Sequence, residues 1–266
     1  MLAVCATPIG NLEDVTLRVL RELREADLVL CEDTRHTRRL LDAHGIRART
    51  LSYHEHNEAA RTAELMPRLR AGDRVALVSD AGLPAISDPG GRLVRAALDA
   101  GVEVTVLPGP SAVETALVAS GLVADGYRFV GFLPRGRGPL ERFWAELADS
   151  ASPTVAFESP RRLPATLRSL ADSDPGREVA VCRELTKRHE QVVRGAAAEV
   201  AALVSEPPKG EVTLVIGPGE GEPADEATAS AAVGELVEAG LSRRQATDLV
   251  ARLTGLPRRR LYDMSL

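Results

Sequence analysis

Three loops rich in glycine and proline are the first parts of this chain whose residue types could do chemistry. They are Thr7-Pro8-Ile9-Gly10-Asn11-Leu12, the run SDAGLPAISDPG at 79–90, and Pro108-Gly109-Pro110-Ser111-Ala112. Each follows an apolar, strand-like run. Glycine lets backbone approach a ligand closely, and proline holds a loop in one shape. Three such loops on one sheet edge read as a pocket wall rather than as turns. Asp80 and Asp88, with Glu32 and Asp33 after another strand-like run, suit hydroxyls or a cation. No G-x-x-x-x-G-K-[ST] is present, and no G-x-G-x-x-G follows the first strand. The lone GPGEG at 217–221 lies in linker-like sequence. Neither a P-loop nor a Rossmann dinucleotide site is expected.

Four dense polar segments add candidates. Glu32-Asp33-Thr34-Arg35-His36-Thr37 directly follows a strand and reads as a functional loop. His54-Glu55-His56-Asn57 holds an H-x-H. Without a cysteine or a third spaced ligand, the pair reads as substrate-contacting or hydrogen-bonded histidines, and no metal is expected. Phe157-Glu158-Ser159-Pro160-Arg161-Arg162 and Arg183-Glu184-Leu185-Thr186-Lys187 each set acid beside base after a strand, a pattern that ordinary surface ion pairs also produce.

The elements that must position these residues alternate. Runs at 2–6, 27–31, 75–79 and 102–107 predict strands, and 15–23, 39–44, 58–70 and 93–100 predict helices. That βαβα order implies a mostly parallel sheet with helices on its faces. The texture changes near 122–126, and the alternation then repeats. Helices are expected at 141–148, 163–170 and 196–204, with strands at 154–157, 178–183 and 212–216. Residues 217–226 (GPGEGEPADE) have linker composition, and three short helices are expected at 227–239, 242–253 and 257–264. The expected domains are 1–122, 123–217 and 227–266.

Composition bounds the reading. The chain has 266 residues, 44% hydrophobic and 27% charged, which is ordinary for a folded protein. Its longest uncharged stretch, 1–12, is short of the ~20 residues of a membrane helix. The first basic residue is Arg18, so the n-region of a signal peptide is missing. Cys5, Cys31 and Cys182 are odd in number and far apart, neither a disulfide framework nor a zinc pattern. A cytoplasmic location is expected, with no membrane contact. The net charge is −5, yet residues 241–266 hold six Arg against Asp248 and Asp263, a local +4 that leaves −9 for the rest. A basic tail on an acidic body suggests a nucleic-acid contact confined to one module, or a solvated Arg-rich surface.

TPIGNLED, CEDTRHT, HEHNE, VSDAGLPAISDPG, LPGPSA, GFLP, FESPRR and RELTK occur here in the order found in the ribosomal RNA small subunit methyltransferase I family, which this chain resembles over roughly residues 4–217. The three-helix tail is similar to that family's small C-terminal domain. The family resembles the tetrapyrrole methylases, which are class III S-adenosylmethionine-dependent methyltransferases. The resemblance implies an α/β fold class: two α/β domains of tetrapyrrole-methylase type with S-adenosylmethionine in the cleft between them, plus a small C-terminal helical domain. It also implies a homodimer, and methylation of a cytidine ribose 2′-hydroxyl in 16S ribosomal RNA of the 30S subunit.

Carried over by position, Pro8, Asp80, Ala81, Gly82, Leu83, Ile86, Ser111, Ala112 and Ser159 would contact the cofactor. Residues 157–159 and 212–213 would form the far wall. Three positions depart from the family pattern: Leu83 replaces a usual Thr, Arg161 the His of FESPHR, and Gln191 a common Glu. On this reading Glu158 and Lys187 are the candidates for general base and electrostatic helper. Arg35, His36 and Arg161 are suited to phosphates, and the Arg-rich tail would grip the RNA backbone. Two other readings compete. One is a tetrapyrrole methyltransferase of the same fold, which the basic tail and EDTRHT argue against. The other is a non-catalytic nucleotide- or RNA-binding module, which the intact pocket loops argue against.

Overall fold

The computed structural model describes residues 1–219 and 226–264. The apolar runs LAVC, LVLC and VAL form strands β1 (Leu2–Cys5), β2 (Leu28–Cys31) and β4 (Val75–Leu77), each buried along its whole length. Such continuous burial belongs to a parallel sheet covered on both faces. With β3 (Thr50–Ser52) and β5 (Val104–Leu107) they make a five-stranded sheet of order β3-β2-β4-β1-β5, in which every pairing is parallel.

Helices α1 (Leu17–Glu25) and α2 (Thr34–Ala43) cover one face, packing Val19, Leu23, Leu40 and Leu41 against Ala3, Val29 and Ala76. Helices α3 (Glu58–Arg70) and α4 (Gly91–Asp99) cover the other, with Leu65, Leu69 and Leu93 against Leu2, Leu30 and Leu77. Local chemistry fixes the ends. The Thr16 hydroxyl accepts from Val19 N at 3.2 Å to cap α1, and the Glu58 carboxylate accepts from Gly90 N at 3.1 Å at the start of α4.

Helix α5 (Ala112–Ser120) then leads into β6 (Arg128–Phe132), α6 (Arg137–Leu147), β7 (Thr154–Glu158), α7 (Leu163–Ser173), β8 (Glu178–Arg183), β9 (Gln191–Ala196), α8 (Ala197–Leu203) and β10 (Val212–Ile216). The second sheet runs β6-β7-β10-β8-β9. Only β6 and β7 pair in parallel, and the remaining pairings are antiparallel. The repeated alternation in the sequence thus hides a mixed sheet. Helices α6, α7 and α8 cover one face. The other face is covered by α5, together with Ile9 from the first loop: Val113, Ala116 and Leu117 pack on Val155, Ala180, Cys182 and Val215. Burying each such Val, Leu or Ile contributes about 2 kcal/mol, so this layer holds the two halves together. Helix α5 precedes the texture change at 122 but packs with the second sheet.

Of the linker-like stretch, residues 220–225 lie outside the described residues. Helices α9 (Glu226–Glu238), α10 (Arg243–Thr254) and α11 (Arg258–Met264) form a third unit around Ala229, Val233, Ala246, Val250 and Leu261. A capping box between Ser242 and Gln245 starts α10, and left-handed Gly255 ends it. Among the described residues no helix is long and apolar enough to cross a membrane.

Candidate active site

All strands of the first sheet point the same way, so their carboxyl ends share one edge. Strands β4, β1 and β5 are neighbours there, and the three glycine- and proline-rich loops leave the sheet side by side. Thr7 and Gly82 exchange backbone hydrogen bonds of 2.8 and 3.0 Å, stitching the first loop to the second. The Thr7 hydroxyl donates to Ser79 O at 3.0 Å. Gly82 adopts φ +77°, a conformation glycine reaches without steric cost. Ala85 and Ser87, which do pay that cost, also sit in the left-handed region, at +70° and +62°. Non-glycine residues held in this region cluster at active sites and ligand clamps, which makes this loop a candidate for one.

An acidic cluster lies beside this bed. The Asp80 carboxylate accepts from Asp33 N at 3.1 Å and so ties the end of β2 to the end of β4. Burial, then the charges of Glu32 and Asp80, push the Asp88 carboxyl up to about 6. Burial and Asp80 likewise raise Glu32. Like charges held this close are relieved by a cation or by hydroxyl donors.

The second half presents its own carboxyl ends to these loops, since β6, β7 and β8 run in the same direction. A Cβ on Gly10 would stand 2.5 Å from Lys187 Cγ and 2.7 Å from Leu185 O, so the first loop lies directly on the segment after β8. A Cβ on Gly131 would stand 3.4 Å from Ser87 Oγ, which brings the end of β6 against the second loop. The cleft is the space bounded by these loops. A separate cavity of about 290 Å³, with Trp144, Leu170, Asp174 and Arg177 in its lining, lies on the α6–α7 side of the second sheet, apart from these loops.

The expected cofactor residues fall on the loops. Pro8 and Gly82 are buried, Asp80, Leu83, Ser111 and Ala112 half-buried, and Ala81 and Ile86 exposed; Ser159 is half-buried on the opposite wall. The Ser111 hydroxyl donates to Glu114, which also accepts from Tyr127. The EDTRHT segment is not the expected loop. Asp33 is the N-cap of α2, and Thr34–Thr37 form its first turn. Arg35 forks onto the Asp33 carboxylate at 2.8 Å and is largely exposed, as is His36. Asn57 holds the His54 ring through Nε2 at 3.1 Å.

Glu158 does not fit the part of general base. Its side chain is fully buried; one oxygen accepts from Ser159 N (2.6 Å) and Arg162 (2.6 Å), the other from the Thr166 hydroxyl (2.7 Å). A carboxylate with no solvent contact, both of whose oxygens already accept hydrogen bonds from its own neighbours, fits a structural lock rather than a proton acceptor for an incoming hydroxyl. Lys187 is held between Glu184 at 2.9 Å and Glu211 at 2.7 Å. Burial lowers its pKa, but the hydrogen bonds and charges of the two carboxylates outweigh that and raise it, so it is a cation at neutral pH. Arg161 is exposed beside the buried lock.

The sequence reading took in Arg162 only as part of an acid-beside-base segment, and not as the partner of Glu158, and did not reach Thr166. Their spacing of four and eight residues from Glu158 was the available signal, because a helix starting at Leu163 carries both back over the end of β7. It also passed over Arg162's second bond, to Leu133 O at 2.9 Å, which joins the loops after β6 and β7.

Residues 1–201 match the model of tetrapyrrole (corrin/porphyrin) methylases, and residues 223–266 match that of the RsmI C-terminal HTH domain. Ribosomal RNA small subunit methyltransferase I of Mycobacterium bovis is 46% identical over 100% of this chain and 94% of its own length. That of Synechocystis sp. is 43% identical over 100% of this chain and 97% of its own. The crystal structure of uroporphyrin-III C-methyl transferase from Thermus thermophilus complexed with S-adenyl homocysteine covers 81% of this chain and 96% of its own. Its TM-score is 0.57 at 21% identity, a likeness of fold.

Proposed function

The chain belongs to the ribosomal RNA small subunit methyltransferase I family, and we propose that it methylates the ribose 2′-hydroxyl of a cytidine in 16S ribosomal RNA of the 30S subunit. Methylation of ribosomal RNA with S-adenosylmethionine as donor is the activity of the family. The observation that carries the finer reading is the meeting of the three first-half loops with the ends of β6 and β8 around an acidic cluster. A homodimer and a cytoplasmic location are part of the same proposal.

The residues present fit S-adenosylmethionine. The cofactor carries a cationic sulfonium and ammonium and a ribose diol, and the crowded carboxyls of Glu32, Asp80 and Asp88 are the groups to receive such charge and hydroxyls. Gly82, Ala85 and Ser87 shape the backbone bed, with Pro8, Leu83 and Ile86 as its apolar parts and Ala81, Ser111, Ala112 and Ser159 at its rim. When bound, the cofactor supplies a methyl already activated for in-line displacement.

The chain's task is alignment and exclusion of water rather than covalent chemistry. The Glu158–Arg162–Thr166 lock holds the β7 end rigid, so that Ser159 and Phe157 keep their places on the wall. Lys187, charged and anchored over Gly10, would stabilise negative charge on the attacking ribose oxygen as the O–CH3 bond forms, the C–S bond breaks and the hydroxyl proton leaves to solvent. Arg161, exposed and without an ion pair among the described residues, would take a phosphate, and Arg35 and His36 lie exposed on α2 for the same use. The Arg-rich α10 and α11 add a grip on RNA backbone that does not depend on sequence. The test is labelled methyl transfer to 30S subunits lacking the modification: label at one alkali-resistant ribose of 16S RNA supports the reading, and label confined to protein or absent sinks it.

A further inference from the structure

The chain has only eight aromatic residues, and one of them is left in solvent at the mouth of the cleft. Phe132 ends β6 and is 65% exposed, whereas most of its fellows are buried or half-buried. Its ring stands edge-on to Phe157, centroids 5.7 Å apart, and Phe157 in turn packs edge-on with Phe129 at 5.1 Å. The neighbouring Gly131 abuts Ser87 of the second loop, which puts Phe132 beside the expected cofactor bed rather than on a remote face. Ile86, also exposed, lies in that same loop.

Two arginines follow the strand ends. Phe132 and Phe157 are register partners on parallel strands, so the segments that follow leave the same end of the sheet. Arg135 comes three residues after one and Arg161 four after the other; both are exposed, and neither makes an ion pair among the described residues. Arg162 pins the two segments together by donating to Leu133 O and to Glu158. An exposed, supported aromatic ring, with an unpaired arginine on each of the two segments that follow these paired strands, matches a single-stranded nucleic acid: the base stacks and the phosphates meet arginine.

We propose that Phe132 is the stacking platform for a base in the single-stranded RNA segment carrying the acceptor ribose, with Arg135 and Arg161 holding the flanking phosphates. This rests on the RNA-methylating reading above and adds a binding residue to it. A base on Phe132 fixes the strand's path, and with it the approach of the ribose oxygen to the cleft.

The test compares wild type with F132A, F132Y and F132W on 30S subunits lacking the modification. F132A should lose about 10- to 100-fold in kcat/KM, chiefly through KM for the subunit. F132Y and F132W should retain activity, and cofactor affinity by calorimetry and melting temperature should stay at wild-type values. In F132W the new indole should be quenched by oligocytidylate, while the only tryptophan of F132A, buried Trp144, should not respond. Wild-type kinetics in F132A, or an F132W emission blind to RNA, would overturn the stacking role. So would a loss of activity that tracks a dimer-to-monomer change in sedimentation, because the occupant would then be a second copy of the chain. A wild type that labels no RNA at all would instead fail the underlying reading, so the two failures are told apart.

Discussion

Replacing Glu158 separates a structural lock from a general base. The side chain is fully buried and receives three donors: Ser159 N, the Arg162 guanidinium and the Thr166 hydroxyl, all within 2.8 Å. Glu158→Ala removes every acceptor and leaves Arg162, only 29% exposed, without its counter-charge. Breaking one side of a buried pair costs about 3–5 kcal/mol. Taking about 3 kcal/mol for the partly wetted arginine, the melting temperature of a chain this size should drop by about 6–12 °C. Glu158→Gln keeps one oxygen and the shape, and should cost about 1–2 kcal/mol. The assay pairs thermal melting with methyl transfer at saturating cofactor, well below the melting point. If Glu158 is a lock, Glu158→Gln retains kcat within about threefold and keeps the wild-type pH profile. General-base removal costs about 10²-fold or more. A loss of that size in Glu158→Gln, with the melting temperature unmoved, would refute the argument and restore Glu158 as the base.

Gly10→Ala adds a methyl into Lys187 Cγ and the backbone oxygen of Leu185, so it should destabilise by about 1–3 kcal/mol and raise KM for the RNA; an unchanged melting curve would show that the two loops do not meet. Asp88 has a folded pKa of about 6, above its ordinary 3.8, so the fold takes up a proton and stability falls as pH rises between those values. Asp88→Asn should therefore be more stable than wild type above about pH 6.5, by about 1 kcal/mol after allowing for its partial exposure, with no difference below about pH 4. Melting across that range checks the sign. Asp80→Ala and Gly82→Trp should each weaken S-adenosylmethionine binding by tenfold or more, about 1.4 kcal/mol, in calorimetry; unchanged affinity in both would move the cofactor away from these loops.

The first sheet was legible because burial on both faces writes itself as uninterrupted apolar runs, as in LAVC and LVLC. The same physics made the ligand edge readable: parallel strands put their following loops together, and the glycines and prolines of those loops stand out. Four elements were not. Strand β3 is too short to show a period, and β6 is interrupted by Gly131 and a shift in register between Phe129 and Phe132. Strand β9 is half-exposed and ends in Gly195-Ala196, while α5 (AVETALVAS) is apolar on nearly every side and shows no helical stripe. The roles of charged residues were the least legible. Acid and base adjacent in sequence do not reveal that Asp33 caps a helix, that Glu158 is sealed from solvent, or that Lys187 answers to Glu211 from a distant segment. Those outcomes depend on burial and long-range pairing, which no local pattern encodes.

The central claim is the transfer of methyl from S-adenosylmethionine to a ribose of 16S RNA, and one measurement reaches it directly. Labelled cofactor is offered with 30S subunits lacking the modification and, in parallel, with uroporphyrinogen III. The account predicts label in 16S RNA that resists alkaline cleavage at a single cytidine, and none in the tetrapyrrole. Label in the tetrapyrrole, or cofactor binding with no label in RNA, would contradict it.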